Sequence, residues 1–326
     1  MTPLGIGIIG AGKHGLRYIR HLTEDVPDAT LVAVSRRDRR EGEPVAAAHR
    51  CAFYEDWRAL VEDPRVQAIV TAVPVALNVA IAEAACRAGK HLLIEKPLAP
   101  TVDDGRRIVA AVRAAGVHAM VAQTLRFDAT VAAVRQALPA IGRVHAITLS
   151  QRFEPSTLPW IDRQDQSGGG VMLQTGIHSI DLLRVLLGRE VVEVSCVTAR
   201  VCTAETEDNF VMLARLDADG MLGQIAGSRA AGGRSGAIEI AGAEGQIAAD
   251  HVHRVGWLIR GTTRTPIAVG ASIPTVREAL RAFVAAVHAG GPVPVTVEEG
   301  LRAVAVAEAA YRSAALGGAP VPVRYD

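Results

Sequence analysis

The chain has 326 residues, enough for two domains, and is 49% hydrophobic and 21% charged, an ordinary globular mixture. Its formal net charge of +1 excludes the broad basic field that nucleic-acid or anionic-membrane binding needs. No apolar run approaches the roughly 20 residues that span a bilayer. The opening MTPLGIGIIG lacks a basic leader and a cleavage site, so it reads as the first strand of a cytoplasmic protein. Cys51, Cys86, Cys196 and Cys202 show no metal-ligand spacing, and no metal is expected. Cys196 and Cys202 share a strand-like run, a weak disulfide signal against a default of reduced thiols.

A strand is predicted at 4–10, ending in glycine, and further buried strands at 30–35, 66–73, 91–95 and 118–122. Helical patterns fall between them at 13–24, 42–49, 75–88 and 102–115, with Gly89 suited to end the third. This alternation predicts an α/β domain with a doubly wound parallel sheet over 1–122. Beyond it, runs at 143–153, 191–203, 209–216, 221–230 and 236–242 read as successive strands. Turn chemistry such as GAEG (242–245) points to antiparallel pairing. Helices are expected at 171–187, 275–290 and 298–315, which makes 123–326 an α+β domain.

GAGKHG supplies Gly10, Ala11, Gly12, Lys13, His14 and Gly15 as G-x-G-x-x-G, closing the first strand and opening a helix. In that context Gly10 makes the turn, Gly12 admits a pyrophosphate and Gly15 lets helix and strand pack closely. The helix N-terminus then faces the phosphates with its leading N–H groups. The end of the second strand selects the cofactor. An NAD site wants a carboxylate there for the ribose hydroxyls. This chain has Ser35, Arg36 and Arg37, a hydroxyl and two guanidiniums suited to a 2′-phosphate. Asp38 lies two residues past the usual carboxylate position. NADP(H) is the expected cofactor, with NAD(H) the alternative.

AGKHLLIEKPLA (88–99) resembles the Glu-Lys-Pro stretch of the Gfo/Idh/MocA oxidoreductases. GIIGAGKHG, TAVPVALN (71–78), SGGGVMLQTGIHSIDLLRVLLG (167–188) and VEEGLRAVAVAEAAYRSA (297–314) resemble further landmarks of that family, in order along the whole chain. The resemblance implies a Rossmann domain followed by a domain with a large open, mainly antiparallel sheet, whose face commonly joins subunits. A homo-oligomer, dimer or tetramer, is therefore expected, with a small-molecule substrate as its other partner.

It also implies roles for residues. Lys96 lies at the nicotinamide end and His178 on a helix of the second domain, together handling the hydroxyl proton that must leave as hydride leaves carbon. A cis Lys96–Pro97 bond is part of the same pattern. Val73, Pro74, Asn78, Glu95 and Gln123 join the glycine loop around the cofactor, Asn78 standing where the segment commonly has His. Gln174, Trp160, Arg163, Arg126 and Asp181 are the expected substrate contacts. Gln174 stands where the family's sugar dehydrogenases usually carry Asp, and the spacing of 174, 178 and 181 puts all three on one face of a helix.

The expected activity is hydride transfer to or from a sugar, cyclitol or related polyol or ketone. A dinucleotide-binding sensor without turnover and an NAD-assisted glycosidase remain as alternatives.

Overall fold

The computed structural model describes residues 2–218 and 220–325. Packing divides them into two compact units. The first runs to Thr124 and includes Pro274–Leu301; the second is Leu125–Ile273 with the chain from Arg302 onward. The expected boundary at 122/123 thus shifts slightly, and one predicted helix of the second domain returns to the first.

The first unit contains β1 (Leu4–Ile9), α1 (Gly15–Glu24), β2 (Ala29–Ser35), α2 (Arg39–Ala48), β3 (Ala52–Tyr54), α3 (Trp57–Glu62), β4 (Ala68–Thr71), α4 (Asn78–Arg87), β5 (His91–Glu95), α5 (Val102–Ala115) and β6 (Ala119–Ala122). Its six strands are parallel in the order β3-β2-β1-β4-β5-β6, a doubly wound sheet. The order reverses between β1 and β4, the switch point where such sheets bind ligands at the carboxyl ends of their strands. Strands β1, β4 and β6 are buried along their whole length, as their unbroken apolar runs require. Helix boundaries follow local chemistry. Thr101 caps α5 by accepting from the Asp104 amide, and Gly116 ends it at φ 64°.

The second unit contains α6 (Ala129–Ala137), β7 (Val144–Arg152), a short α7 (Gln164–Ser167), a π-helical turn (Met172–Gly176) leading into α8 (Ile177–Leu187), β8 (Val191–Ala199), β9 (Asn209–Leu216), β10 (Leu222–Ser228), β11 (Ser235–Gly242), β12 (Gly245–Asp250), β13 (Val255–Arg260) and β14 (Thr263–Pro266). After it, α9 (Thr275–Ala289) rejoins the first unit, burying Val276, Leu280, Phe283 and Val284 where it packs on α1, β5 and β6. Helix α10 (Val297–Ala315) begins in the first unit and ends in the second, and β15 (Val321–Pro322) closes the chain's last ladder.

The second unit's sheet has nine strands in the order β14-β13-β12-β11-β7-β10-β9-β8-β15. It is antiparallel apart from the β7–β10 pair. Alternation decides its faces: Phe210, Met212, Ala214 and Leu216 of β9 enter a core shared with Ile180 and Leu183 of α8 and Val306 of α10. The opposite face leaves Val197, Val211, Leu213 and Leu222 exposed on three neighbouring strands. All four cysteines are free thiols, so the weak Cys196–Cys202 signal is not a disulfide.

Candidate active site

The glycine loop lies at the switch point, and its glycines divide their work as its spacing predicts. Gly10 has φ +98°, and a Cβ there would collide with the Ala72 carbonyl. A Cβ on Gly15 would strike the Gly10 carbonyl, so α1 and β1 pack too closely for any side chain. Gly12 differs: a Cβ there meets nothing within 4 Å, which marks open space above the turn. No side chain caps the α1 N-terminus at His14, and of its first amides those of Leu16 and Arg17 donate to the Gly12 and His14 carbonyls at 2.9 and 3.0 Å. These features fit a dinucleotide pyrophosphate. Lys13 is exposed and His14 half-exposed beside them, while Val73 and Pro74 follow β4 with Val73 packed close to Gly10.

The end of β2 is pinned to this loop, since the Ser35 carbonyl accepts the Gly10 and Ala11 amides at 2.9 and 3.2 Å. Ser35 itself is buried. The Arg36 guanidinium donates to the Ala11 carbonyl at 2.7 Å and pairs with Glu41. Arg37 is exposed. Asp38 is engaged elsewhere, capping α2 by accepting the Arg40 amide. Glu41, in the first turn of that helix, escaped sequence reading because only the fold brings it to Arg36.

At the end of β5 the chain turns through a cis Lys96–Pro97 bond. Glu95 is buried beneath this corner: His14 lies 2.7 Å from its carboxylate, the Tyr18 hydroxyl donates at 2.6 Å, and the Lys96 amide donates at 3.1 Å. Burial alone pushes the Glu95 pKa up, but the His14 and Lys96 charges and the Tyr18 hydrogen bond outweigh it and hold it at about 2. Asn78 grips the corner from the other side, donating to the Pro97 and Leu98 carbonyls at 3.1 and 3.2 Å. Expected among the cofactor contacts, its buried amide holds the loop that carries Lys96. Glu95 likewise works from beneath as the loop's anchor. Lys96 is half-exposed. At the end of neighbouring β6, Gln123 is buried, and its Oε1 has no hydrogen-bond partner among the described residues. A waiting acceptor there suits a carboxamide or hydroxyl.

In the second unit, Glu207 organises the segment that carries His178. Its carboxylate accepts from the Gly170 and Met172 amides and the Tyr311 hydroxyl, each at 2.9 Å. Burial pushes its pKa up against these donors. The SGGG run is needed to wrap it, since a Cβ on Gly169 or Gly170 would collide with Tyr311 or Glu207. Gln174 follows in the π turn, where its amide donates to the Ser167 carbonyl at 2.6 Å. That explains an amide where a carboxylate was expected: an ionised Asp has no proton to give a carbonyl.

His178 is half-exposed in the first turn of α8. Of the expected common face of 174, 178 and 181, Gln174 lies buried in the π turn, and Asp181 is buried with both oxygens bound by Arg126 at 2.7 and 2.6 Å. Expected among the substrate contacts, the two residues are paired with each other.

The loop after β7 carries Trp160, half-exposed in a short 3₁₀ turn. Asp162 anchors it, accepting the Ala204, Glu205 and Thr206 amides. Arg163 is exposed and matched by Asp165 and Glu205, so its charge is already answered.

Comparison with known proteins agrees with this architecture. Residues 4–123 match the profile described as "Oxidoreductase family, NAD-binding Rossmann fold", and residues 131–248 match the "GFO/IDH/MocA C-terminal domain". An inositol 2-dehydrogenase of Rhizobium meliloti is 30% identical over 95% of this chain and 96% of its own. A myo-inositol 2-dehydrogenase of Thermotoga maritima is 29% identical over 94% and 95%. Among solved structures, that of GenD2 from gentamicin A biosynthesis in complex with NAD superposes with a TM-score of 0.88 at 27% identity, covering 99% of this chain and 97% of that one.

Proposed function

Because this chain belongs to the Gfo/Idh/MocA family of NAD(P)-dependent oxidoreductases, we propose that it moves a hydride between NADP(H) and a hydroxyl-bearing carbon of a sugar, cyclitol or related polyol. The observation that carries the reading is the buttressed corner at Lys96. A buried carboxylate below and a buried amide beside it fix a lysine at the carboxyl edge of the sheet, alongside the glycine loop. The two relatives named as inositol dehydrogenases support a polyhydroxylated ring as substrate.

In this mechanism Lys96 binds the reacting oxygen by a charge-assisted hydrogen bond, and His178 takes its proton. The nicotinamide ring, when bound, supplies the hydride acceptor. Gln123 holds a polar group of the cofactor or substrate at its waiting oxygen. Absorbance of reduced nicotinamide during a polyol screen tests this. Net reduction supports the dehydrogenase, product without net reduction the glycosidase, and binding without product the sensor.

NADP(H) is favoured over NAD(H) because the position beyond β2 presents Arg36 against the loop, while the nearest carboxylate in sequence, Asp38, caps α2. The Arg36–Glu41 pair is partly exposed and worth at most about 1 kcal/mol, so a 2′-phosphate displaces Glu41. Isotherms should show Arg36→Asp weakening NADP+ at least about tenfold against NAD+, with Glu41→Gln tightening NADP+. Equal affinities throughout would return the site to NAD(H).

The exposed row Val197, Val211, Leu213 and Leu222 supports pairing with a second copy of this chain across the open sheet face. Light scattering should give an oligomer that Leu213→Asp converts to monomer; a monomeric wild type overturns this.

A further inference from the structure

Arg126 and Arg184 of the second unit are drawn out of solvent against carboxylates. Arg126 is bound by both oxygens of Asp181. Arg184 is bound by both oxygens of Glu190 at 2.7 and 2.8 Å. Arg229 is the exception. Its guanidinium donates to the Thr175 hydroxyl at 2.6 Å, and no carboxylate of a described residue lies within ion-pair distance. Burial disfavours its charged form, with no opposing charge to restore it. A desolvated cation without a counter-charge is costly, so its persistence calls for an anion that arrives from outside.

Its place in the fold says which anion. Arg229 directly follows β10, at the carboxyl ends of the parallel β7–β10 pair. The stretch around it is laced to the loop after β7, through Phe153 N–H to the Ser228 carbonyl and Ala231 N–H to the Phe153 carbonyl. Its partner Thr175 lies in the π turn between Gln174 and His178. The guanidinium therefore rests against the segment that presents His178.

Arg126, Arg163 and Arg234 are matched by Asp181, by Asp165 and Glu205, and by Glu154, while Arg152, across from Ser228, is exposed and donates to the Ser150 hydroxyl. Planar guanidinium donors left by Thr175 match the two oxygens of a carboxylate.

We propose that Arg229 is a substrate-binding residue and that the substrate is a sugar acid, a polyhydroxylated ring or chain bearing a carboxylate that Arg229 receives. The inference rests on the dehydrogenase reading for the identity of the rest of the substrate, but its test does not need turnover.

Isothermal titration of the NADP+-loaded protein with D-glucuronate and D-galacturonate, against D-glucose, D-galactose and glucose 6-phosphate, reads the preference directly. The expected result is uronate binding about ten- to a hundredfold tighter than the parent hexose. Arg229→Gln removes that preference and Arg229→Lys retains part of it. Equal binding of acid and neutral sugar, a preference for the phosphate, or an uronate preference that survives in Arg229→Gln overturns the proposal. Should Arg229→Gln not fold, Arg229→Lys carries the decision: an undiminished preference there counts against bidentate pairing. Uronate binding without cofactor reduction would uphold Arg229 and sink the dehydrogenase reading; reduction with neutral polyols alone would do the reverse.

Discussion

Replacing His178 by Asn is expected to lower kcat for polyol oxidation by about 10²- to 10⁴-fold, the range associated with a positioned acid–base group. NADP+ affinity should stay within about twofold, a change of under about half a kcal/mol, because the glycine loop and β2 end contain no part of α8. Lys96→Met should give a comparable loss in kcat with the same retained affinity, since the corner is held by main-chain and Asn78 contacts that a Met leaves in place. If both act on one proton and one oxygen, as proposed, the two lesions should not add when combined. Steady-state kinetics on the two single variants and the double variant check this. Losses that multiply would mean that the residues act independently, and an unchanged kcat in either single variant would remove that residue from the chemistry.

The second large effect concerns stability. Asp181→Ala is expected to destabilise the second unit by about 3–5 kcal/mol, the cost of leaving one member of a buried ion pair alone. The side chains of Arg126 and Asp181 are only 11% and 2% exposed, and two hydrogen bonds of 2.7 and 2.6 Å join them. Removing both charges should be far milder: Arg126→Met with Asp181→Leu is expected to lie within about 2 kcal/mol of wild type, because an apolar pair avoids desolvating either ion. Urea denaturation monitored by circular dichroism reads both. A single Asp181→Ala loss below about 1 kcal/mol would mean that the pair is hydrated and its role lies elsewhere.

That pair shows how far the sequence was legible. Arg126 and Asp181 read as substrate contacts in the sequence, and nothing in their spacing reveals that they meet across 55 positions and neutralise each other. Gln174 reads as a missing carboxylate until its amide is seen donating to the Ser167 carbonyl. Periodicity found the parallel strands of the first unit because each is buried on both faces and therefore uniformly apolar.

It missed β14, whose four residues are all exposed at a sheet edge and carry no alternation to detect. It missed β12 and β13 for a related reason: their inward residues are few, and Ala and Gly mark a buried face weakly. It also missed α6, whose start is set by the Asp128 cap and not by a long apolar stripe. The glycine loop was readable because its three glycines lie within six residues in one motif, although the close approach at Gly10 is to the distant Ala72 carbonyl. Arg229, Glu41 and Glu207 were invisible because their meaning depends on what lies beside them in the fold, and no motif announces it.

The direct test of the central claim follows one hydrogen. The protein is given NADP+ and a substrate from the polyol screen carrying deuterium at the carbon to be oxidised, and the nicotinamide is recovered for mass spectrometry. The account predicts deuterium on the reduced ring, in step with ketone formed, and its disappearance in the His178→Asn and Lys96→Met variants. Ketone or cleaved product with the label lost to water or returned to the sugar, and none on the recovered ring, would contradict it.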